Sequence, residues 1–564
     1  MAAADSTVND RHDGPEPDEP VRVHSGTTPL EVPPVDVPPL EGPRVEVPHV
    51  EVLIVGAGLS GIGAAWRLQK QCPGRSYVML EGREALGGTW DLFRYPGIRS
   101  DSDMFTFGYP FRAWHGQQVL ADGPSIRAYL ADTAAEAGID RHIHFRTRVL
   151  GASWSSEKAR WTVSVQVGPD ATPGTYTCSF LWICSGYYDY EHPHRPAFSG
   201  ESDFEGTIVH PQLWPPDLEW DGKRVVVVGS GATAVTLVPA LVARAGSVTM
   251  LQRSATWMTA RPSTDRVADA LRRYLPADVA HRILRERNVT LSQAFYQLCR
   301  QRPSLAARLL RSGLERQVHD DALLDAHFTP TYQPWDQRLC VMPDGDLVHA
   351  VADGRAEIVT DVIDRFVAEG IRLVSGRVLA ADLVVLATGL TLLPLGAIEL
   401  WVDGNEVDLS TRFTYQGLMI SGVPNLAITV GYTNASWTLR ADLVARFVTR
   451  LLRHMDQHGV AYSVPTDPTD AAPRPLLDMT SGYIRRSEHL FPHQGDRNPW
   501  RVGQNYLMDR WRLGRADVTE EMTMVTWRQL RVGARPCEAA SSPERPEAFR
   551  SAQTSGSAHT GSPR

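Results

Sequence analysis

Val52-Leu53-Ile54-Val55-Gly56-Ala57-Gly58-Leu59-Ser60-Gly61 is a short apolar run ending in a glycine turn, and its reading decides the fold. Four aliphatic residues suit a parallel strand covered on both faces. The first glycine permits the tight turn, the second lets a backbone approach a pyrophosphate, and the third lets the next helix pack closely on the strand. A helix begins at Ile62, and the strand 77–80 ends at Glu81, twenty residues after Gly61. A carboxylate there accepts hydrogen bonds from ribose hydroxyls and repels a 2′-phosphate. The helix N-terminus offers unpaired N–H groups and partial positive charge to phosphates. This unit therefore suits FAD or NAD and not NADP.

A second such unit follows. The strand 225–228 runs into Gly229-Ser230-Gly231-Ala232-Thr233-Ala234, with alanine at the third position, and the strand 248–251 ends not in an acid but at Gln252-Arg253. A guanidinium at this place pairs bidentately with a 2′-phosphate, so the second dinucleotide should be NADPH. The expected fold class is α/β with two dinucleotide-binding, Rossmann-like domains. The strand 383–386 with Ala387-Thr388-Gly389 resembles the return from an NADPH domain to a flavin domain. After the strand 426–430, a helix start within 432–442 should face the flavin with Thr433 and Asn434 near its N-terminus.

At 564 residues the chain is long enough for several domains' worth of core. A net charge of -8 argues against nucleic acid as the main partner. The six cysteines show no C-x-x-C spacing, so neither a disulfide framework nor a metal site is indicated. No secretory signal or membrane-length apolar run is evident, and a cytoplasmic location is the default. Residues 1–49 read as a proline- and acid-rich disordered arm and 531–564 as a disordered tail. Between them, the first domain is expected over 50–195 and 381–530, and the second over 196–260 and 329–380. The stretch 261–328 forms a helical insert in the second domain. From 261 to 318 there are twelve Arg against five Asp or Glu. This marks a solvated basic face, or one resting on an anionic membrane surface.

Between the two glycine loops lies Phe204-Glu-Gly206-Thr-Ile-Val-His210-Pro-Gln-Leu-Trp214-Pro215. This segment matches F-x-G-x-x-x-H-x-x-x-W-P in order and spacing. The chain thereby resembles the type I Baeyer-Villiger monooxygenases, class B flavoprotein monooxygenases, and within them the branch of the ethionamide-activating monooxygenase. The likeness extends through 87–101, Gln252-Arg253-Ser254, 334–339 and 499–501, from about residue 52 to 509.

The resemblance implies FAD contacts at Gly56, Gly58, Ser60, Gly61, Glu81, Thr89, Trp90, Asp91, Leu92, Asp101 and Val149. It implies NADP contacts at Arg99, Ser100, Asp101, Gly229, Ser230, Gly231, Ala232, Thr233, Ala234, Val235, Gln252 and Arg253. Arg338 is the implied catalytic arginine, stabilising a flavin C4a-peroxide formed from O2, with Asp101 orienting it and tuning its field. The implied reaction inserts one oxygen atom into a small lipophilic ketone to give an ester or lactone, with sulfur compounds also oxidised. Gln337 departs from the lysine many members carry, so the 2′-phosphate leans more on Arg253. His210 and Trp214 read as holding the domains together, and Asp103 competes with Asp101 for a catalytic role. A flavin-containing N- or S-monooxygenase, which uses the same oxygen chemistry, is the alternative. A disulfide reductase is disfavoured because 87–90 carries no cysteine.

Overall fold

A computed structural model describes residues 45–46, 49–477 and 479–533. The strand Val50–Val55 stands inside a ten-stranded sheet, parallel to Tyr77–Leu80 on one side and to Thr172–Ile183 on the other. Ile143–His144 extends the parallel order beyond Tyr77–Leu80, and Leu426–Ile428 pairs with residues 181–183. Thr172–Ile183 serves two arrangements. Its C-terminal half belongs to this parallel sheet, whereas its first half pairs antiparallel with Arg160–Val167, which in turn pairs with Thr147–Ser155. Burial follows the pairing: residues 52–55 are buried without a break, while Arg160–Val167 largely alternates, as a sheet face partly open to solvent requires.

The second sheet is wholly parallel, in the order Glu357–Thr360, Ser247–Gln252, Arg224–Val228, Leu383–Leu386, Thr207–Val209. One expectation changes here. Leu383–Leu386 lies against Arg224–Val228 in the second sheet, so the boundary expected between 380 and 381 moves to Ala387-Thr388-Gly389. Four fully buried aliphatic residues need partners on both sides, and only this sheet supplies them. Thr207–Val209, from within the linker segment, closes the sheet's edge.

Val45–Glu46 pairs in parallel with Gly174 and Thr175, so the arm expected over 1–49 reaches the first sheet at its C-terminal end; its other residues up to 44 lie outside the described residues. The expected tail begins within the helix Trp527–Gly533, and beyond 533 it too lies outside them. The helix expected to start within 432–442 is Trp437–His458, with Ser436 at its N-cap.

The insert is helical as expected: Arg266–Tyr274, Ala277–Gln301, Pro303–Glu315 and Asp321–His327. Asp265 and Asp320 cap two of these helices by accepting main-chain N–H groups. Much of its arginine excess is structural. Arg285 is buried and donates to the carbonyls of Phe105 at 2.8 Å and Gly108 at 2.7 Å. One turn on, Asn288 donates to Asp103 at 2.8 Å. Arg272 donates to the carbonyls of Trp114 and Gly116, while Arg287 pairs with Asp265 and Arg300 with Asp336. The long helix therefore buttresses the segment 103–109 of the first domain, next to Asp101. Tyr274, Leu291 and Leu309 stay exposed on the insert. Among the described residues, no helix is long and apolar enough to cross a membrane.

Candidate functional site

Both glycine turns open into one cavity of about 1280 Å³, larger than the roughly 300–1000 Å³ usual for a single small ligand. At the first turn, Gly56 has φ +99°, and a β-carbon there would stand 2.8 Å from the Cys184 carbonyl oxygen. At Gly61 it would stand 1.9 Å from the Gly56 oxygen. Gly61 thus packs helix on strand and does not line the cavity, whereas Gly58 does, its main chain alongside that of Gly88. Glu81 lies at the strand end, its Oε2 accepting from the Ala57 N–H at 2.7 Å and Oε1 from the Arg83 N–H at 3.0 Å. Burial pushes its pKa up against those N–H groups and the Arg83 charge. Ser60 accepts from Trp437 Nε1 at 2.8 Å. Thr89, Trp90 and Val149 also line the cavity.

Asp91 and Leu92 do not. The Asp91 carboxylate is buried and bound by Arg83 at 2.7 Å, Arg127 at 2.9 Å and Arg94 at 3.1 Å, and Leu92 enters the second domain's core. A carboxylate so paired braces the loop around Trp90 instead of meeting a ligand.

The second turn repeats the first. Gly229 has φ +136°, and a β-carbon there would stand 2.4 Å from the Ala387 oxygen. Residues 229–233 line the cavity. The expected contacts at Ala234 and Val235 are corrected: both side chains lie in the core, and the Val235 N–H already donates to Gly231 in the first helical turn. Gln252 is corrected as well. Its buried amide donates to the His327 carbonyl at 2.8 Å and Thr360 Oγ1 at 2.9 Å, tying the strand to the end of the insert. Arg253 points the other way, exposed to the cavity, with no hydrogen-bond or ion-pair partner among the described residues. The residues fit two dinucleotides: each turn lets a pyrophosphate approach the main chain, and an acid ends one unit while a free cation ends the other.

Arg338 and Asp101 line the same cavity. No hydrogen bond or ion pair joins them, and their charges act on each other through space. Burial pushes the Asp101 carboxyl up, and the charges of Arg338 and Arg99 oppose it. For Arg338, burial is outweighed by Asp101 and by the nearby phenols of Tyr483, Tyr188 and Tyr187, so it stays protonated. Arg99 pairs with Asp346 at 2.8 Å, its Nε and Nη2 buried without partners. Ser100 lines the cavity as well. Asp103 is no catalytic rival: it caps Met104–Phe107 and accepts from Asn288.

Sequence reading missed Tyr187, Tyr188, Tyr483 and Arg486, which all line this cavity. They come from loops and one short helix, and only their polar aromatic character near an arginine could have flagged them. The aromatic wall continues through Trp437, whose ring lies 4.9 Å from that of Tyr187. Tyr432 and Ala435 face the cavity, whereas Thr433 and Asn434, expected there, bond to Gln504.

The linker segment joins the domains without lining the cavity. Phe204 packs against Phe366, and a β-carbon on Gly206 would strike the Phe204 ring and the Asp382 oxygen. His210 Nδ1 accepts from the Gln212 N–H at 3.2 Å, leaving Nε2 to donate to the Gly389 carbonyl at 3.3 Å. Gln212 donates to the Asp189 carbonyl at 2.8 Å, and Trp214 meets Trp220 edge-on. His210 therefore clasps the crossover at Ala387–Gly389. Burial drops its pKa to about 4, and His281 behaves alike. A depressed histidine contributes stability above its unfolded value near 6.5 that is lost as pH falls toward 4, up to about 3 kcal/mol for each group. Thermal midpoints should fall over this window, and less steeply in His210→Gln. Parallel curves for the two proteins would contradict the assignment.

Fold and site together define a flavoprotein with two dinucleotide-binding domains meeting at one cavity. Residues 99–299 match the flavin-binding monooxygenase-like family, and residues 54–133 an NAD(P)-binding Rossmann-like domain. The chain is 50% identical over 483 residues to the FAD-containing monooxygenase EthA of Mycobacterium tuberculosis, covering 85% of this chain and 98% of that protein. It is 48% identical to EthA of Mycolicibacterium smegmatis, over 86% of this chain and 98% of that one. Its fold matches an oxidised steroid monooxygenase bound to NADP, with TM-score 0.66 and 22% identity over 85% of this chain and all of that chain. It also matches an open cyclohexanone monooxygenase, with TM-score 0.64 and 18% identity over 74% and 90%. The chain belongs to the family of FAD-containing monooxygenases that includes EthA. It is a flavin monooxygenase; its EthA relatives contain FAD, and one fold neighbour was solved in complex with FAD and NADP.

Proposed function

We propose that this enzyme oxidises NADPH and uses O2 to insert one oxygen atom into a small lipophilic ketone, giving an ester or lactone, and that it also oxidises sulfur compounds. The observation that carries this reading is Arg338, protonated and walled by Tyr187, Tyr188 and Tyr483, in the cavity into which both glycine turns open. Bound FAD supplies acceptance of a hydride and activation of O2. The chain's residues do the rest. Arg338 places a fixed positive charge where negative charge develops on oxygen, which is worth more in a water-poor pocket than in water. Asp101 limits that field across the cavity. Glu81 holds its glycine turn in shape through the Ala57 N–H, and Arg253 receives the 2′-phosphate. Trp437, Tyr187 and Tyr188 exclude water and offer flat apolar surface to the substrate.

The match of residues 99–299 to the flavin-binding monooxygenase-like family keeps a second reading in play, N- or S-oxygenation alone. A panel of linear, cyclic and aryl ketones beside aryl sulfides separates the two. Esters or lactones from ketones are expected; sulfoxides with every ketone untouched would favour the second reading.

A further inference from the structure

Arg486 lies outside every role assigned so far. It sits on the short helix Gly482–Ser487, three residues after Tyr483, so that both side chains leave the same face and line the cavity. Tyr483 is the phenol beside Arg338. The Arg486 guanidinium reaches elsewhere: its Nη2 lies 3.9 Å from where a β-carbon on Gly389 would stand. Gly389 follows Ala387 by two residues, and the Ala387 carbonyl abuts the second glycine turn at Gly229. Arg486 therefore overhangs one edge of that turn, while Arg253 stands at the end of the next strand on the opposite side.

Among the described residues Arg486 has no hydrogen-bond or ion-pair partner. Although the residue as a whole is exposed, its guanidinium is partly withdrawn from water, which lowers its pKa. His194 also lines the cavity, and its pKa falls through burial and through the Arg486 charge. A cation that gives up water with no carboxylate to offset the loss gains by accepting a ligand anion. In a unit of this fold the pyrophosphate sits at the glycine turn.

We propose that Arg486 is an anion-binding arm for the pyrophosphate of the nicotinamide dinucleotide, the group NADPH and NADH share. Resting on the reading that the second turn holds this cofactor, it assigns retention to Arg486 and 2′-phosphate discrimination to Arg253. The test is equilibrium binding of NADP+, NAD+ and adenosine 2′-monophosphate to the FAD-loaded enzyme. Arg486→Gln should raise Kd for NADP+ and NAD+ alike by about tenfold or more and leave adenosine 2′-monophosphate unchanged. Arg253→Gln should weaken NADP+ and adenosine 2′-monophosphate and leave NAD+ unchanged. Should Arg486→Gln melt early, Arg486→Lys is measured in its place, and a smaller, parallel loss for NADP+ and NAD+ is expected. Unchanged Kd for NADP+ and NAD+ would overturn the assignment, including the case where only carboxylate-bearing substrates lose KM. Loss confined to NADP+ and adenosine 2′-monophosphate would overturn it by moving Arg486 to the 2′-phosphate. Wild-type enzyme that binds none of the three would overturn the dinucleotide reading itself.

Discussion

Arg338→Ala is expected to lower product formation by about 100- to 1000-fold, the range for removing one preorganised donor from a charge-stabilising site, while anaerobic flavin reduction by NADPH stays within a few-fold of wild type. The two half-reactions separate because Arg338 lines the cavity without being paired to either turn. Its protonated state is secured by Asp101 and the three tyrosines, so the charge is present before oxygen is activated. Arg338→Lys keeps a charge but loses the planar fork, and should fall between the two. Rapid-mixing measurement of flavin reduction beside product yield checks this. Equal losses in both steps would make Arg338 a brace between domains instead of a catalytic group.

Asp509→Ala should be the most destabilising single change. Asp509 and Arg440 form an ion pair at 3.1 Å with side chains 2% and 1% exposed, and the same carboxylate accepts from Tyr432 at 2.8 Å and from Arg512 at 3.2 Å. Arg440 also donates to the Gln416 carbonyl. Removing the acid strands a buried guanidinium, at a cost of about 3–5 kcal/mol. Because Tyr432 lines the cavity, weaker FAD retention should accompany the lower thermal midpoint. A double change, Asp509→Leu with Arg440→Met, removes both charges and should recover much of the midpoint. A midpoint for Asp509→Ala equal to wild type would show that the pair is not the support it looks to be.

What sequence made legible was local. Each strand–turn–helix unit is written in a dozen adjacent residues, and Glu81 and Arg253 follow at a distance set by one helix and one strand. What it hid depended on parity, helix phase or distant partners. Gln252 and Arg253 are neighbours, yet a strand sends them to opposite sides, so one is buried structure and the other a free cation. Ala234 ends the glycine motif and Val235 follows it, and both fall on the core face of their helix. Asp91 sits beside Trp90 in a family landmark, but Arg127 is brought to it only by folding. Leu383–Leu386 reads as a return to the first domain, because nothing in four aliphatic residues says which sheet they join. Tyr187, Tyr188 and Tyr483, which wall Arg338, and Arg486 beyond them come from loops and from one helix too short to show a period.

The linker Phe204–Pro215 links these levels, since His210 fastens it to the crossover between domains while Thr207–Val209 closes the second sheet. Its placement supports a machine in which hydride donor, flavin and Arg338 share one cavity. The most direct test is incubation of the FAD-loaded enzyme with NADPH, a ketone and isotopically labelled O2, followed by mass spectrometry of the product. One labelled oxygen atom in an ester or lactone, matched by one NADPH consumed, is the predicted result. NADPH consumption that yields only reduced oxygen species, with no label in any ketone-derived product, would contradict it.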